Sequence, residues 1–154
     1  MPNRHHTLRN GLASAGLALM LLHGSAATAA ASAQEAREIL QAKAYTAIHD
    51  LKLRHGFWTA EVTAHGGARV DVLIDGDNRI VEAGGQGTAS ARNVIARLQS
   101  LGYRQIRDVE LDDAFWEAEA RNAAGIEVEV VLHPVTLEVL SEIEDDAGRV
   151  SPRR

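Results

Sequence analysis

The sequence contains no cysteine and few aromatic side chains. None of its 154 residues is a cysteine, and only six are Phe, Trp or Tyr. The lack of cysteine excludes disulfide cross-links, thiol nucleophiles, cysteine-ligated zinc and covalently attached c-type haem. A folded domain must therefore rely on its hydrophobic core alone, which is feasible for a chain of about 120 residues.

A long hydrophobic run is also missing. The most apolar stretch, GLASAGLALMLL at residues 11–22, has about a dozen residues, whereas a membrane-spanning helix needs about 20. It follows a short segment with two arginines and precedes two small-x-small sites. This order predicts a secretory signal peptide over residues 1–33, cleaved after Ala33 or alternatively after Ala29. An uncleaved membrane anchor is the competing interpretation.

The charge balance shows no basic stripe. The whole chain has a formal net charge of −5. Removal of residues 1–33 takes away two arginines and no acid, which leaves 14 basic and 21 acidic residues and a net charge near −7. Nucleic acid is therefore not expected as a partner. We predict a periplasmic or secreted protein without a membrane span after signal cleavage, kept soluble by its acidic surface.

What the sequence does contain is an internal repeat with a spacing of 58 residues. The hexamer FWTAEV begins at Phe57, and FWEAEA begins at Phe115. Each of the six aromatic residues has a counterpart at this spacing. Because chance does not produce such a match, the chain is predicted to hold two copies of one structural unit. The paired positions predicted to form the core are Tyr45, Trp58, Val70, Val72, Tyr103, Trp116, Val128 and Val130.

The repeat divides the chain into segments. The predicted segments are a signal peptide at 1–33, a first repeat at 34–84, a second repeat at 90–144 and a flexible tail at 145–154. The junction between the repeats, EAGGQGTAS at 82–90, holds three glycines and is typical of a boundary. Whether the two repeats share one sheet or form two is left open by the sequence.

The second copy shows the plan of the unit. SARNVIARLQSLG, at 90–102, places apolar residues at helical spacing between a serine suited to the N-cap and a glycine. Strand-like segments follow, and FWEAEAR and IEVEVVL alternate charged residues with small or apolar ones. Each unit is predicted to be one helix packed on a small antiparallel β-meander, an α+β fold. In the first copy, helix propensity would also allow one longer helix over 35–51; the repeat predicts that it ends at Tyr45.

The two Phe-Trp pairs place their rings on opposite faces of a strand. Trp58 and Trp116 share the phase of small residues that leave room for a docked helix. Phe57 and Phe115 are then predicted to point to the other face of the sheet. The favoured interpretation is that these rings cap that face or are buried between the two copies, and an exposed binding patch is the alternative.

The second copy resembles the PepSY domain. The residues that carry the resemblance are a helix ending in LGY, an aromatic residue followed by alternating E-A-E, and the strand IEVEVVL. In the family's last turn, Thr136 matches, whereas His133 replaces the usual Asp. The first copy keeps Asp75 at this place but lacks the Thr-Gly. With both copies counted, the resemblance covers residues 35–144.

PepSY units occur in propeptides of thermolysin-type secreted metallopeptidases, where they assist folding and inhibit the peptidase. They also occur as free-standing exported proteins and as ectodomains of membrane proteins. The resemblance therefore implies an exported, non-enzymatic tandem double-PepSY protein that binds or inhibits a secreted or periplasmic peptidase or another envelope protein. No inhibitory residue can be carried over, because the family has no compact reactive motif. The alternative hypothesis is a sensory or structural periplasmic module that binds a small ligand or metal ion between the two repeats.

The titratable residues show no catalytic or cofactor pattern. Four histidines lie beyond the predicted signal peptide, none in an H-E-x-x-H motif, and each is replaced in the other copy: His49, His55, His65 and His133. They are expected at the surface. DGDN at Asp75 resembles the start of a calcium loop but lacks its later Gly and Glu, so a hairpin turn is predicted instead. We predict no catalytic residue, no cofactor and no metal site.

Overall fold

The computed structural model describes residues 30–144. These residues form two successive units, each with one helix followed by a four-stranded antiparallel sheet. This confirms the predicted α+β class and the plan of one helix and one meander per unit. Nearly all of the predicted signal peptide and the whole predicted tail at 145–154 lie outside the described residues. Within residues 30–144, no helix is long and apolar enough to cross a membrane.

The first unit spans α1 to β4. Its elements are α1 (Ala33–Ala42), β1 (Thr46–Arg54), β2 (Phe57–Thr63), β3 (Arg69–Ile74) and β4 (Ile80–Glu82), with the strands in sequence order across the first sheet. After the helix, Ala44 adopts a φ of 65°. This left-handed residue turns the chain out of the helix before Tyr45, so the single longer helix does not form.

The second unit repeats this order. Its elements are α2 (Ala91–Ser100), β5 (Arg104–Asp112), β6 (Phe115–Arg121), β7 (Glu127–Leu132) and β8 (Val139–Glu144), again in sequence order across the second sheet. Ser90 and Asn93 form a capping box at the start of α2, in which each side chain accepts the other residue's backbone N–H. Gly102 follows the helix with a φ of 92°, a conformation that glycine adopts without steric cost.

Each helix packs on one face of its own sheet. Leu40 of α1 and Leu98 of α2 are fully buried against these faces. Of the residues predicted to form the paired core, four are buried: Val72, Trp116, Val128 and Val130. The other four are half-buried and pack against the same clusters: Tyr45, Trp58, Val70 and Tyr103. The small side chains beside each tryptophan, Ala60 and Ala118, leave room for the helix.

The paired tyrosines make the same hydrogen bond in both units. Tyr45 Oη donates to Glu82 Oε1 at 2.7 Å, and Tyr103 Oη donates to Glu142 Oε2. Burial, with the acceptor carboxylate as the second cause, raises the pKa of each tyrosine to about 12. Each hydroxyl therefore stays protonated and links the start of the first strand to the last strand.

The first strand of each sheet is irregular. Ala47 and Asp50 in β1, and Gln105 and Asp108 in β5, have φ values between 46° and 50°. At both places in each strand, two residues lie opposite one residue of the neighbouring strand. Such bulges strengthen the twist and disrupt the ladder locally. As a result, every third residue of β1 is partly buried, rather than every second.

The two sheets pack through the faces that turn away from their helices. The cluster between them contains Leu73, Ala114, Phe115 and Val131 with the half-buried Phe57, Val81, Ala83 and Leu140. Leu73 and Phe115 have no exposed surface. The molecule is therefore layered as α1, first sheet, second sheet, α2. This confirms that Phe57 and Phe115 pack between the two copies rather than forming an exposed patch.

Ion pairs surround this cluster on one side. Lys52 Nζ and Arg54 Nη1 lie 2.6 and 2.7 Å from Asp113 Oδ2, and Arg54 Nη2 lies 3.0 Å from Glu117 Oε1. The Arg54 guanidinium also lies 5.4 Å from the centre of the Phe115 ring. The hydrogen bond from Lys52 is the largest cause that lowers the pKa of Asp113. These contacts join the first and second units by charge as well as by apolar burial.

Candidate functional site

A row of side chains crosses all four strands of the second sheet on the face away from α2. Arg107 of β5 lies opposite Glu119 of β6, Glu119 opposite Glu129 of β7, and Glu129 opposite Ile143 of β8. We call Arg107, Glu119, Glu129 and Ile143 the acidic row. Arg107 Nη2 lies 2.5 Å from Glu119 Oε2, so one glutamate of the row is neutralised.

The acidic row lines a cavity of about 280 Å³ together with Glu127, Val128 and Glu144. One arginine and four glutamates line this space. Arg107 also approaches Glu127 at 3.5 Å, but no ion pair of Glu129 or Glu144 is found among residues 30–144. The cavity therefore carries excess negative charge and favours a cationic group.

Like charges lie directly opposite each other at the same place in both sheets. Glu119 is paired with Glu129 in the second sheet, and Glu61 is paired with Asp71 in the first. Such cross-strand pairs of like charge are destabilising. Burial raises the pKa of Asp71, and the neighbouring charges of Asp113 and Glu61 raise it further. Both sheets thus carry a local electrostatic cost on the face away from the helix.

The edge next to the acidic row has the longest regular segment among the edges of the described sheets. β1 and β5 are bulged, and β4 has three residues. β8 has six residues, none with a positive φ, and one register shift at Leu140, so that residues 141–144 pair regularly with β7. Its outer side presents backbone groups that another strand can pair with. Ile143, at the end of the acidic row, is 54% exposed beside this edge.

The prediction that His133 lies at the surface is wrong. Its side chain is 7% exposed, and its ring lies 5.3 Å from the Phe57 ring across the inter-unit cluster. The backbone N–H groups of Val135 and Thr136 both donate to His133 Nδ1 at 3.2 Å. The imidazole is buried because it accepts these two bonds and closes the turn between β7 and β8.

Asp75 has the same role in the first unit, at a spacing of 58 residues. Its Oδ1 accepts the backbone N–H groups of Asp77 and Arg79, both at 2.9 Å. The hydrogen bonds from Arg79 and Asp77 together lower the pKa of Asp75, although burial alone would raise it. This confirms the prediction of a hairpin turn at DGDN. The repeat placed His133 opposite Asp75, and that correspondence was the sequence signal for a buried acceptor at residue 133.

The turn at His133 is expected to weaken in mild acid. Burial is the largest cause that lowers the pKa of His133, although Asp75 and Glu138 oppose the shift. Because the folded state favours the neutral imidazole, the stability that His133 contributes is complete above the ordinary histidine pKa of about 6.5. It is lost as the pH falls from there toward the lower folded-state pKa. Thermal melting between about pH 5 and 8 should show this loss in the wild type.

His133→Asn is the matched control for this prediction. Asparagine keeps a side-chain acceptor for the turn but does not titrate in this range. The variant should therefore show a flatter dependence of melting temperature on pH than the wild type. Identical pH profiles for the two proteins would contradict the role of His133.

The other three histidines do not form a site with His133. His49 and His65 are exposed, and the half-buried His55 packs its ring 5.2 Å from the Phe115 ring. Across residues 30–144, no group of three or more His, Asp or Glu side chains is arranged to hold a metal ion.

The comparison with known families identifies the second unit. Residues 81–143 match a family model described as "Peptidase propeptide and YPEB domain", PepSY_2. No curated protein and no solved structure matches the chain. The matched residues run from within β4 to the penultimate residue of β8, and they include α2, β5, β6, β7 and the His133 turn. Residues 81–143 of this chain are therefore similar to the family of peptidase propeptide and YPEB domains.

Proposed function

We propose that this chain is an exported, non-enzymatic module that binds a secreted or periplasmic peptidase or another envelope protein. The observation that carries the proposal is the match of residues 81–143 to the peptidase propeptide and YPEB domain family. A propeptide domain acts by contact with its peptidase rather than by chemistry of its own. The predicted signal peptide would deliver the chain to the compartment where such peptidases work.

The first unit supports the same role, because it repeats the second in detail. It has the same order of elements, the same bulges in its first strand and the same tyrosine–glutamate bond to its last strand. We infer that it is also a PepSY-like unit. Nearly the whole described chain would then consist of two binding domains held together by the cluster around Phe115.

Pairing of an extended partner segment with a free sheet edge fits such a module. This mode obtains affinity from backbone hydrogen bonds and needs no distinctive side-chain motif. The bulges in β1 and β5 make these strands poor templates, since they interrupt the regular spacing of backbone groups. Residues 141–144 of β8 offer the longest regular segment of a sheet edge among the described residues.

Affinity capture from an envelope extract tests this proposal. The chain without its signal peptide is immobilised, and retained proteins are identified by mass spectrometry. We expect a peptidase or another envelope protein to be retained, and a heat-denatured bait to lose it. If no protein is retained, while a small ligand or metal ion raises the melting temperature, the alternative of a ligand-binding module replaces the proposal.

A further inference from the structure

We propose that the acidic row and the β8 edge form one docking site for an extended partner segment that carries lysine or arginine side chains. This inference rests on the proposed function and adds to it the place of binding and the chemistry of the bound segment. The two surfaces are continuous, because Ile143 belongs to both.

Strand geometry places alternate side chains of a docked segment on the face of the acidic row. A strand added to β8 would lie about 4.8 Å from it, and every second residue would point to that face. The apolar stems of long basic side chains could cover the exposed Ile143, while their charged ends turn toward Glu129. The β8 edge would then pair with the backbone of the docked segment, and the acidic row would select for positive charge on its side chains.

The charge of the site supports a cationic segment. Of the four glutamates that line the cavity, Glu119 pairs with Arg107 and Glu127 pairs with Arg121, which leaves two negative charges without an ion pair among residues 30–144. Glu119 and Glu129 lie opposite each other, and Arg107 offsets only part of this repulsion by its ion pair with Glu119. A bound cation between or beside them would turn this repulsion into attraction. No apolar packing of the second unit depends on Glu129, which is exposed.

A second copy of this chain is a poor occupant of the docking site, because its β8 strand carries negative charge. Antiparallel pairing of two β8 strands would bring the Glu142 and Glu144 side chains of both copies to one edge. Like charges on adjacent strands are unfavourable. A basic segment of a different protein lacks this repulsion, so the site favours a heterologous partner.

Fluorescence anisotropy with designed peptides tests the site directly. The probe is a labelled alternating valine–lysine octapeptide, and the matched probe replaces lysine with glutamate. We expect the lysine peptide to bind and the glutamate peptide not to bind. Binding should weaken as sodium chloride rises from about 0.05 to 0.5 M, because salt screens exposed charges.

Two variants locate the binding. The Glu119→Gln/Glu129→Gln double variant should bind the lysine peptide about tenfold more weakly, as expected for a loss of about 1.4 kcal/mol. Glu38→Gln, on the outer helix α1, is the control and should bind like the wild type. Thermal melting of each variant checks that it is folded. Equal affinity of the double variant and the wild type would overturn the proposal.

Peptides N-methylated at alternate residues test the contribution of the edge. If the segment pairs with β8, methylation of one alternating set of amides should abolish binding, and methylation of the other set should be tolerated. Equal binding of both methylated peptides would overturn the edge contact. The proposed function is tested separately. If the double variant retains an envelope protein as well as the wild-type bait does, that function stands and this docking site is ruled out.

Discussion

Replacement of Phe115 with alanine is expected to lower the free energy of unfolding by about 3–5 kcal/mol. The Phe115 ring has no exposed surface and lies at the centre of the cluster between the two sheets. It also contacts the ring of Phe57 at 6.3 Å and the guanidinium of Arg54 at 5.4 Å. Loss of the ring would leave a cavity in the only apolar cluster between the units that is found among residues 30–144. The substitution should therefore destabilise both units together.

Urea denaturation followed by tryptophan fluorescence measures this effect, since each unit contains one tryptophan. Phe57→Ala is the matched comparison, because Phe57 lies in the same cluster but is only half-buried. It should cost less than Phe115→Ala. A Phe115→Ala variant within about 0.5 kcal/mol of the wild type would show that the two sheets do not pack through this ring.

A chain that begins at Gln34 is expected to be less stable than one that begins at Ala30, by about 2–4 kcal/mol. Ser32 caps α1, and its Oγ accepts the backbone N–H of Glu35 at 3.2 Å; loss of such a cap costs about 1 kcal/mol. The Trp58 indole N–H donates to the Ala30 carbonyl oxygen at 2.8 Å. Removal of residues 30–33 leaves this half-buried N–H without its acceptor, which costs a further 1–3 kcal/mol or so.

The second unit makes the corresponding contacts. The Trp116 indole N–H donates to the Ala89 carbonyl oxygen at 3.2 Å, and Ser90 caps α2. The repeat therefore argues that a complete first unit starts before its helix. Of the two predicted cleavage positions, the one after Ala29 keeps these contacts, and we expect it to be the position used.

Differential scanning calorimetry of the two purified chains, from Ala30 and from Gln34, measures the difference in stability. Ser32→Ala in the longer chain separates the effect of the cap from that of the tryptophan bond. Equal melting temperatures for the two chains would contradict a structural role of residues 30–33. Mass spectrometry of the exported protein identifies the position of cleavage.

The repeat made most of the architecture predictable. The 58-residue spacing aligned two weak local patterns, and each copy resolved ambiguities in the other. Tyr103, directly after Gly102, indicated that the first helix ends before Tyr45, although helix propensity allowed a longer one. The phase of Phe115 relative to Trp116 assigned the two rings to opposite faces. These predictions depend on periodicity, which the sequence displays directly.

Features that depend on backbone conformation and tertiary placement were not predictable. The left-handed residues in β1 and β5, such as Ala47 and Gln105, are not glycines and have no local signal. Burial of His133 depends on the turn that it closes and on Phe57 from the other unit. The acidic row requires the register of four strands, which alternation alone does not determine.

The most direct test of the proposed function is a titration of the chain, without its signal peptide, against the purified metallopeptidases of its own host's envelope. We expect at least one peptidase to be slowed saturably in its hydrolysis of a peptide substrate, while the chain is recovered uncut by mass spectrometry. Full activity of every peptidase at saturating concentrations of the chain, with none retained by it, would contradict a peptidase-binding function.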